Sequence, residues 1–266
     1  MEHHKDRVEY EWKESLGWEK RQNEDGSTGT GKEWMYHWKS EELLEANPLG
    51  MVPTLKCRDG GKVVSESIVC IEFLDHVARR GEGGGGLSTV EEEFLLPVED
   101  PYELARTRVW SDKVNRELCS PYYSVLVKQD KEEQRSAFAG LIKNLDSFSR
   151  ELKKTDGPLF LKGGRMSVVD LTLFPWAWRY YVFRHYRGEE FDIRRGKEHQ
   201  GFDLGPFHDW MDAMMRRDSV VRTLPDRDRY LEHIGKYADG SARSKVAEAV
   251  RRGVSAHEYD DEKDKY

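Results

Sequence analysis

The chain of 266 residues carries 43 Lys or Arg against 50 Asp or Glu, and the resulting formal net charge of −7 argues against nucleic acid or an anionic membrane as the main partner. Its hydrophobic fraction of 37% suffices for the core of one large domain or two small ones, and no apolar run approaches the length of a membrane span or resembles a signal peptide. Three scattered cysteines, without a C-x-x-C pair or metal-type Cys/His spacing, argue against a disulfide framework and a metal site, and they favour the cytoplasm.

The first 46 residues are predicted to form a strand, a loop and a helix. Val, Tyr and Trp alternate with charged residues over 8–14, which predicts a half-buried strand. The glycine-containing stretch 17–31 predicts a polar loop. Residues 33–46 have helical character, and Ser40 is a suitable N-cap for the part that follows it.

The most informative stretch is residues 47–75, NPLGMVPTLKCRDGGKVVSESIVCIEFLD. Turn-forming residues begin it, and a short apolar strand follows over 52–55. Asp-Gly-Gly at 59–61 is a hairpin signal, with a return strand over 62–65 and a helix directly after it. A hairpin that leads into a helix N-terminus predicts an anion site, because the first backbone N–H groups are free and the helix dipole favours negative charge.

The rest of the chain is predicted to be mainly helical. Glycines and glutamates over 80–97 indicate a linker. Ser167 and Asp170 have capping-box spacing, and the aromatic helix that they start is predicted to run over 168–187, with a kink at Pro175. Apolar spacing predicts further helices over 138–152, 204–215 and 244–252.

These motifs together resemble the glutathione transferase family. The family pattern NP-x-G-x-VP, a hairpin, ES and a helix ending in (Y/F)LD matches residues 47–75, and its S-x-x-D cap matches Ser167 and Asp170. The adjacent Pro175 and Trp176 are similar to the omega class. The resemblance implies an α/β plus all-α fold: an incomplete thioredoxin-like domain over 1–79, a linker over 80–97, an all-helical domain over 98–234 and a charged tail over 235–266.

The resemblance also implies a glutathione site. Ser67 would bind the γ-glutamyl carboxylate, and Glu66 would accept a hydrogen bond from the γ-glutamyl ammonium. Val52, before a cis Pro53, would pair its backbone with the cysteinyl residue, and Lys39 would bind the glycine carboxylate. An acceptor pocket between the domains would be lined by four aromatic residues: Trp176, Trp178, Tyr181 and Trp210. The implied ligands are glutathione, as a substrate, and a small hydrophobic or thiol-reactive molecule; a homodimer is compatible with the family, and no metal is implied.

The catalytic residue of the family has no counterpart in this sequence. In omega-type enzymes it is a Cys in a CP-(F/Y) context near the start of the first helix, whereas this chain begins with what resembles the end of that helix. We therefore expect the sequence to be an N-terminally truncated form of an intact enzyme. Cys57 and Cys70 fall on strand and helix positions, where small buried residues are expected rather than nucleophiles.

Three interpretations of function remain open, of which the third is a purely structural helical domain with a degenerate N-terminal segment. The first is a glutathione-dependent enzyme that carries out thiol transfer, reduction or conjugation of small electrophiles, and the five glutathione-site residues favour it. The second is a non-catalytic module of the same fold that binds a ligand or a protein partner. The missing nucleophile favours this second interpretation.

Overall fold

The computed structural model describes residues 4, 6–20, 35–58, 61–80, 94–197, 199, 201–242 and 244–254. The chain divides into two compact units, Met1–Leu96 and Pro97–Tyr266. The first contains short strands and two helices, and the second is mainly helical. An α/β unit followed by a helical unit is the organisation that the sequence predicts.

The first unit begins with a two-stranded antiparallel sheet. Strand β1 (Leu16–Lys20) pairs with β2 (Met35–Lys39), with Leu16 opposite Lys39. Gly17 lies so close to Trp38 that a Cβ atom there would come within 2.5 Å of the indole. Helix α1 (Glu41–Ala46) follows, and the Ser40 side chain accepts a hydrogen bond from the backbone N–H of Leu43, as predicted for its N-cap.

Three predictions for this region are wrong. Residues 8–14 form no strand, and the side chain of Trp12 is 76% exposed. An alternating pattern needs a pairing partner to become a strand, and the pairing starts only at β1. Residues 17–20 of the predicted loop belong to β1, and residues 35–39 form β2 rather than helix, because the pairing of these two strands overrides their local patterns. Residues 21–31 of the predicted loop lie outside the described residues.

The predicted hairpin is confirmed. Strands β3 (Thr54–Lys56) and β4 (Val63–Ser65) pair antiparallel, with Thr54 opposite Ser65. The backbone N–H of Cys57 donates to the carbonyl of Lys62 at 2.9 Å and continues the pairing toward the turn. Asp59 and Gly60 of the turn signal lie outside the described residues. Helix α2 (Ser67–Arg80) follows β4 after a single residue.

The C-terminal half of α2 holds the end of the first unit in place. The buried Asp75 carboxylate accepts hydrogen bonds from the backbone N–H groups of Leu95 (2.8 Å) and Leu96 (3.2 Å). The Arg79 guanidinium donates to the carbonyl of Leu96 at 2.8 Å and lies 4.1 Å from the ring centre of Phe94. Residues 94–96 of the predicted linker are therefore buried against α2.

The second unit contains nine α-helices among the residues that are described. They are α3 (Pro101–Val114), α4 (Pro121–Val127), α5 (Lys131–Leu152), α6 (Val168–Trp178), α7 (Tyr181–Arg187), α8 (Gly205–Met215), α9 (Asp218–Val221), α10 (Arg227–Ala238) and α11 (Lys245–Arg252). A π-helix (Asn115–Cys119) links α3 to α4, and 3-10 turns lie at Lys162–Gly164 and Glu189–Phe191. The helices predicted within α5, α8 and α11 are confirmed.

The predicted capping box is confirmed, but the helix that it starts is shorter than expected. The Ser167 hydroxyl accepts from the backbone N–H groups of Val169 and Asp170, and Asp170 accepts in return from the Ser167 backbone. Instead of one kinked helix over 168–187, α6 ends at Trp178 and α7 begins at Tyr181. The break lies about one turn after Pro175, where four i to i−3 hydrogen bonds replace the α-helical pattern.

Most of the region predicted as a charged tail is structured. Residues 235–238 complete α10, and α11 contributes to a small buried apolar cluster of Val127, Ala242 and Ala247. The Ser244 side chain caps α11 by accepting from the backbone N–H of Ala247 at 3.2 Å. Residues 255–266 lie outside the described residues.

Candidate functional site

The start of α2 is built for binding an anion. Strand β4 ends at Ser65, Glu66 adopts a left-handed backbone with φ of 71°, and α2 starts at Ser67. The carbonyl of Glu66 accepts the first helical hydrogen bond, from Cys70, so the backbone N–H groups before Cys70 have no partner within the helix. Both Glu66 and Ser67 are exposed, so the positive end of the helix dipole faces solvent.

The left-handed conformation of Glu66 is a feature that the sequence did not predict. Residues other than glycine adopt it at a cost of about 1–2 kcal/mol. Such strain concentrates at functional sites, where the surrounding structure maintains it. Here it turns the chain sharply between β4 and α2 and leaves the Glu66 carboxylate exposed beside the helix N-terminus.

The loop before β3 is fixed by the side chain of Asn47. Its Nδ2 donates to the carbonyl of Met51 (3.3 Å) and to Oγ1 of Thr54 (3.1 Å), and its Oδ1 accepts from the backbone N–H of Leu49 (3.2 Å). The bond between Val52 and Pro53 is cis, as the resemblance implies. Asn47 was assigned only to a turn from the sequence, and its positioning role emerges from these three contacts.

Lys39 is brought to the same loop. It ends β2, and its exposed Nζ donates to the carbonyl of Leu49 at 3.0 Å. Gly50, with φ of +59°, permits this approach, because a Cβ atom there would lie 2.5 Å from Cδ of Lys39 and 2.8 Å from its Nζ. The ammonium group of Lys39 is thereby held against the segment that contains Val52 and Pro53.

Of the five residues predicted for the glutathione site, Glu66 and Ser67 lie at the start of α2, and Val52 and Pro53 lie on the loop before β3. The fifth, Lys39, ends β2 and contacts that loop through the carbonyl of Leu49. Pro53 and Glu66 directly adjoin the last paired residues of the hairpin, Thr54 and Ser65. These residues offer a cation and a helix N-terminus, which suit carboxylates, and one exposed carboxylate, which suits an ammonium group. Their individual roles toward glutathione stay predictions.

The two buried cysteines, Cys70 and Cys119, show no sign of activation. Burial, with Glu66 as a second cause, raises the pKa of the Cys70 thiol, which donates to the carbonyl of Val64 at 3.5 Å. Burial also raises the pKa of Cys119 far above its usual value, and its thiol donates to the carbonyl of Thr172. A raised pKa keeps a thiol protonated and therefore poorly nucleophilic at neutral pH.

Three of the four residues predicted for the acceptor pocket lie in one aromatic cluster of the second unit. Trp178 packs edge-on against Tyr181, with ring centres 5.4 Å apart, and lies 6.2 Å from Tyr230. Trp176 contacts Tyr122 at 5.5 Å. Burial raises the pKa of Tyr181 to about 12, so its hydroxyl is neutral at physiological pH.

Trp210 lies elsewhere, in the core around the capping box. It is fully buried, its Nε1 donates to the Asp170 carboxylate at 2.7 Å, and its ring packs against Phe148 and Phe174. These contacts give Trp210 a structural role in the core of the second unit. Its predicted place in an acceptor pocket remains untested.

Among the residues that the structure describes, no group of three or more His, Cys, Asp or Glu side chains is placed to hold a metal ion. Within those same ranges, no helix combines the length and the apolar character that a membrane crossing requires.

Comparison with known proteins agrees with this geometry. The sequence pattern of the glutathione S-transferase N-terminal domain matches residues 8–77, and that of the C-terminal domain matches residues 105–213. The chain is 27% identical over 214 residues to the probable glutathione S-transferase parC of Nicotiana tabacum, covering 76% of this chain and 84% of that protein.

Solved structures give the same result. Glutathione transferase Omega 3C from Trametes versicolor superposes with a TM-score of 0.59 at 26% identity, covering 77% of each chain. Rice GST1, solved in complex with glutathione, superposes with a TM-score of 0.57 at 27% identity, covering 74% of this chain and 80% of the rice chain. The two domain patterns together span more than half of the sequence and match both units of the structure. The chain therefore belongs to the glutathione transferase family.

Proposed function

We propose that this protein binds glutathione at the N-terminus of α2 and acts as a glutathione-dependent enzyme of omega-like type. The observations that support the proposal are the exposed start of α2 at Glu66 and Ser67 and the contact of Lys39 with the loop that contains the cis Val52–Pro53 bond. Glutathione has two carboxylates and one ammonium at neutral pH, and this set offers a partner of opposite polarity for each. The rice relative, solved with glutathione, supports the same assignment.

In this proposal Ser67 binds the γ-glutamyl carboxylate with its hydroxyl and its backbone N–H. Glu66 accepts from the γ-glutamyl ammonium, and Lys39 binds the glycine carboxylate. The backbone of Val52 pairs with the cysteinyl residue in the manner of an added strand. Hydrogen bonds to charged groups are each worth about 1.5–3 kcal/mol, so every one of these contacts contributes measurably to affinity.

The reactions proposed are thiol transfer, reduction, or conjugation of a small electrophile, with a role in detoxification or redox balance. The omega-like class is supported by the adjacent Pro175 and Trp176 and by the similarity to the Trametes enzyme. The free state of Cys57, Cys70 and Cys119 supports a reducing compartment, for which we propose the cytoplasm. A homodimer is proposed from the family alone.

The experiment that tests binding is calorimetric titration with glutathione. Ser67→Ala and Lys39→Met are each expected to weaken the affinity about tenfold or more, since each removes a hydrogen bond to a charged group. Lys62→Met removes an exposed cation from the same hairpin and serves as the matched control. Unchanged glutathione affinity in both Ser67→Ala and Lys39→Met would contradict the proposed site.

The second candidate is a non-catalytic module of the same fold. The raised pKa values of the Cys70 and Cys119 thiols favour it, because neither thiol can supply a thiolate at neutral pH. The two candidates differ in turnover: the enzyme reduces a glutathione mixed disulfide or conjugates a chloronitrobenzene, whereas the module binds glutathione without turnover.

A further inference from the structure

A cavity of about 300 Å³ lies in the second unit, between α5 and the segment that follows α7. Four apolar side chains line it: Phe138, Ala139 and Ile142 of α5, and Phe191 of the 3-10 turn. Three of them, Phe138, Ile142 and Phe191, are buried. Small-molecule pockets in proteins are mostly apolar and measure about 300–1,000 Å³, so this cavity has the size and lining for a molecule of one or two rings.

One buried polar side chain in the cavity wall has no hydrogen-bond partner. His199 lines the cavity and is only 6% exposed. Its imidazole makes no side-chain hydrogen bond within the described ranges, and its Nε2 is buried. Buried polar groups are normally paired, so an unpaired imidazole beside a cavity indicates a partner from outside the chain.

The position of His199 is fixed by its neighbours. Its backbone carbonyl accepts from the backbone N–H of Phe202 at 2.9 Å, within an isolated antiparallel bridge. Its ring lies edge-on to Phe138, with ring centres 6.4 Å apart, and Phe138 in turn contacts Phe191 at 5.2 Å. The imidazole is therefore held against the two aromatic rings of the cavity wall.

The cations at the cavity already have acceptors within the chain. Arg135 pairs with Glu190 at 2.9 Å and with Glu132 at 2.6 Å. Lys197 donates to the backbone carbonyl of Glu189. Because these charges are satisfied internally, the cavity suits an uncharged ligand better than an ion.

The unpaired imidazole determines which polar group the ligand needs. Burial, with the positive charge of Lys197 as a second cause, lowers the pKa of His199, so the ring is neutral at pH 7. A neutral imidazole has one N–H donor and one acceptor nitrogen. A hydroxyl group both donates and accepts, so it can pair with the imidazole in either tautomer.

We propose that this cavity binds a small uncharged aromatic alcohol. The aromatic ring packs against Phe138, Ile142 and Phe191, and the hydroxyl group hydrogen-bonds to the imidazole of His199. None of the residues that line the cavity belongs to the proposed glutathione site or to the predicted acceptor pocket. The proposal therefore adds a further ligand site and does not depend on the proposed function.

The test compares 2-naphthol with 2-methylnaphthalene by equilibrium dialysis against the full chain at pH 7. The two molecules have nearly the same shape, but only 2-naphthol can form the hydrogen bond. It is expected to bind at least about fivefold more tightly, although the methyl group is the more hydrophobic substituent. Equal or weaker binding of 2-naphthol would overturn the proposal.

Replacing His199 tests the polar contact. His199→Phe should remove the preference for 2-naphthol, because it deletes the hydrogen-bonding nitrogens and keeps an aromatic ring. His185→Phe makes the same substitution at an exposed position of α7 and should keep the preference. A preference that survives in His199→Phe would contradict the assigned contact.

Filling the cavity keeps the proposal testable if His199→Phe unfolds. Ala139→Phe adds a ring to a residue of the cavity wall and should weaken the binding of both ligands about tenfold or more. Ala137→Phe adds the same ring to another half-buried alanine of α5 that does not line the cavity, and it should leave the binding unchanged. Wild-type affinity for 2-naphthol in Ala139→Phe would place the ligand elsewhere and overturn the proposal.

A side chain from a second copy of the chain is the competing occupant of the cavity. Sedimentation of the wild type and of Ala139→Phe over a range of protein concentrations distinguishes this case. Self-association that Ala139→Phe abolishes, together with an absence of 2-naphthol binding, would contradict the proposal. Binding of 2-naphthol to a wild-type chain whose sedimentation does not depend on Ala139 supports it.

Discussion

Replacing Asp170 by alanine removes the acceptor that four donors share in the core of the second unit. The carboxylate accepts from the Ser167 backbone N–H and hydroxyl, both at 2.7 Å, from the Phe160 N–H at 3.2 Å and from Nε1 of Trp210 at 2.7 Å. Burial raises the pKa of Asp170, while the hydrogen bonds from Ser167, Trp210 and Phe160 act in the opposite direction. The Ser167 hydroxyl can rotate to another acceptor, but the three N–H groups cannot.

Three buried donors without an acceptor cost about 1–3 kcal/mol each, and water entering the space left by the side chain recovers part of that cost. We therefore expect Asp170→Ala to lower the free energy of unfolding by about 4 kcal/mol. Asp170→Asn keeps one acceptor oxygen but turns an NH2 group toward other donors, so it should lower the free energy of unfolding by about 2 kcal/mol. Trp210→Phe, which removes one of the four donors, should lower the free energy of unfolding less than Asp170→Ala does.

The measurement is urea unfolding followed by far-ultraviolet circular dichroism, which does not depend on the fluorescence of Trp210. With a slope of about 2 kcal/mol per molar urea, Asp170→Ala should lower the midpoint of the second unit by about 2 M. The control is Asp112→Ala on α3, which breaks an exposed ion pair with Arg116 and should leave the urea midpoint nearly unchanged. A midpoint for Asp170→Ala equal to that of the control would refute the reasoning.

Three further predictions concern pH, the loop and the thiols. Burial lowers the pKa of His199 below its ordinary value of 6.5. The contribution of His199 to stability is therefore present above pH 6.5 and is lost as the pH falls below that value. The urea midpoints at pH 7.5 and pH 5.5 should differ less in His199→Gln than in the wild type, and an unchanged difference would contradict this. Gly50→Ala should displace Lys39 and strain the backbone, so it should weaken glutathione binding and lower the melting temperature. Wild-type glutathione affinity in calorimetry would contradict this prediction. An aromatic disulfide reagent should label Cys57 first in the native chain, while rapid labelling of the buried Cys70 would be inconsistent with the structure.

The parts of the fold that the sequence predicted well are those fixed by short-range interactions. The hairpin before α2 follows from a turn signal between two short apolar segments, and the capping box at α6 requires only Ser167 and Asp170 three residues apart. The N-cap at Ser40 is equally local. In each case the interacting groups are close in sequence, so residue type and spacing are sufficient.

Errors arose where distant residues decide the conformation. The strand predicted over 8–14 has no partner, and the stretch 35–39 is drawn into a sheet by pairing with β1. The aromatic helix continues past Pro175 as expected, but it ends at Trp178 instead of 187, and a turn separates it from α7. Spacing along one segment carries no information about which other segment will pair with it or pack against it.

For the candidate site, the sequence alone determined the chemical inventory: a lysine, a cis proline, a glutamate and a serine in a known family order. The tertiary structure decided how those groups meet, through the three hydrogen bonds of Asn47, the approach of Lys39 over Gly50 and the left-handed turn at Glu66. It alone also placed Tyr230 of α10 against Trp178 of α6, since these residues come from separate helical segments. The physical reason is that residue type sets what a group can bind, whereas long-range packing sets whether a partner within the chain already satisfies it.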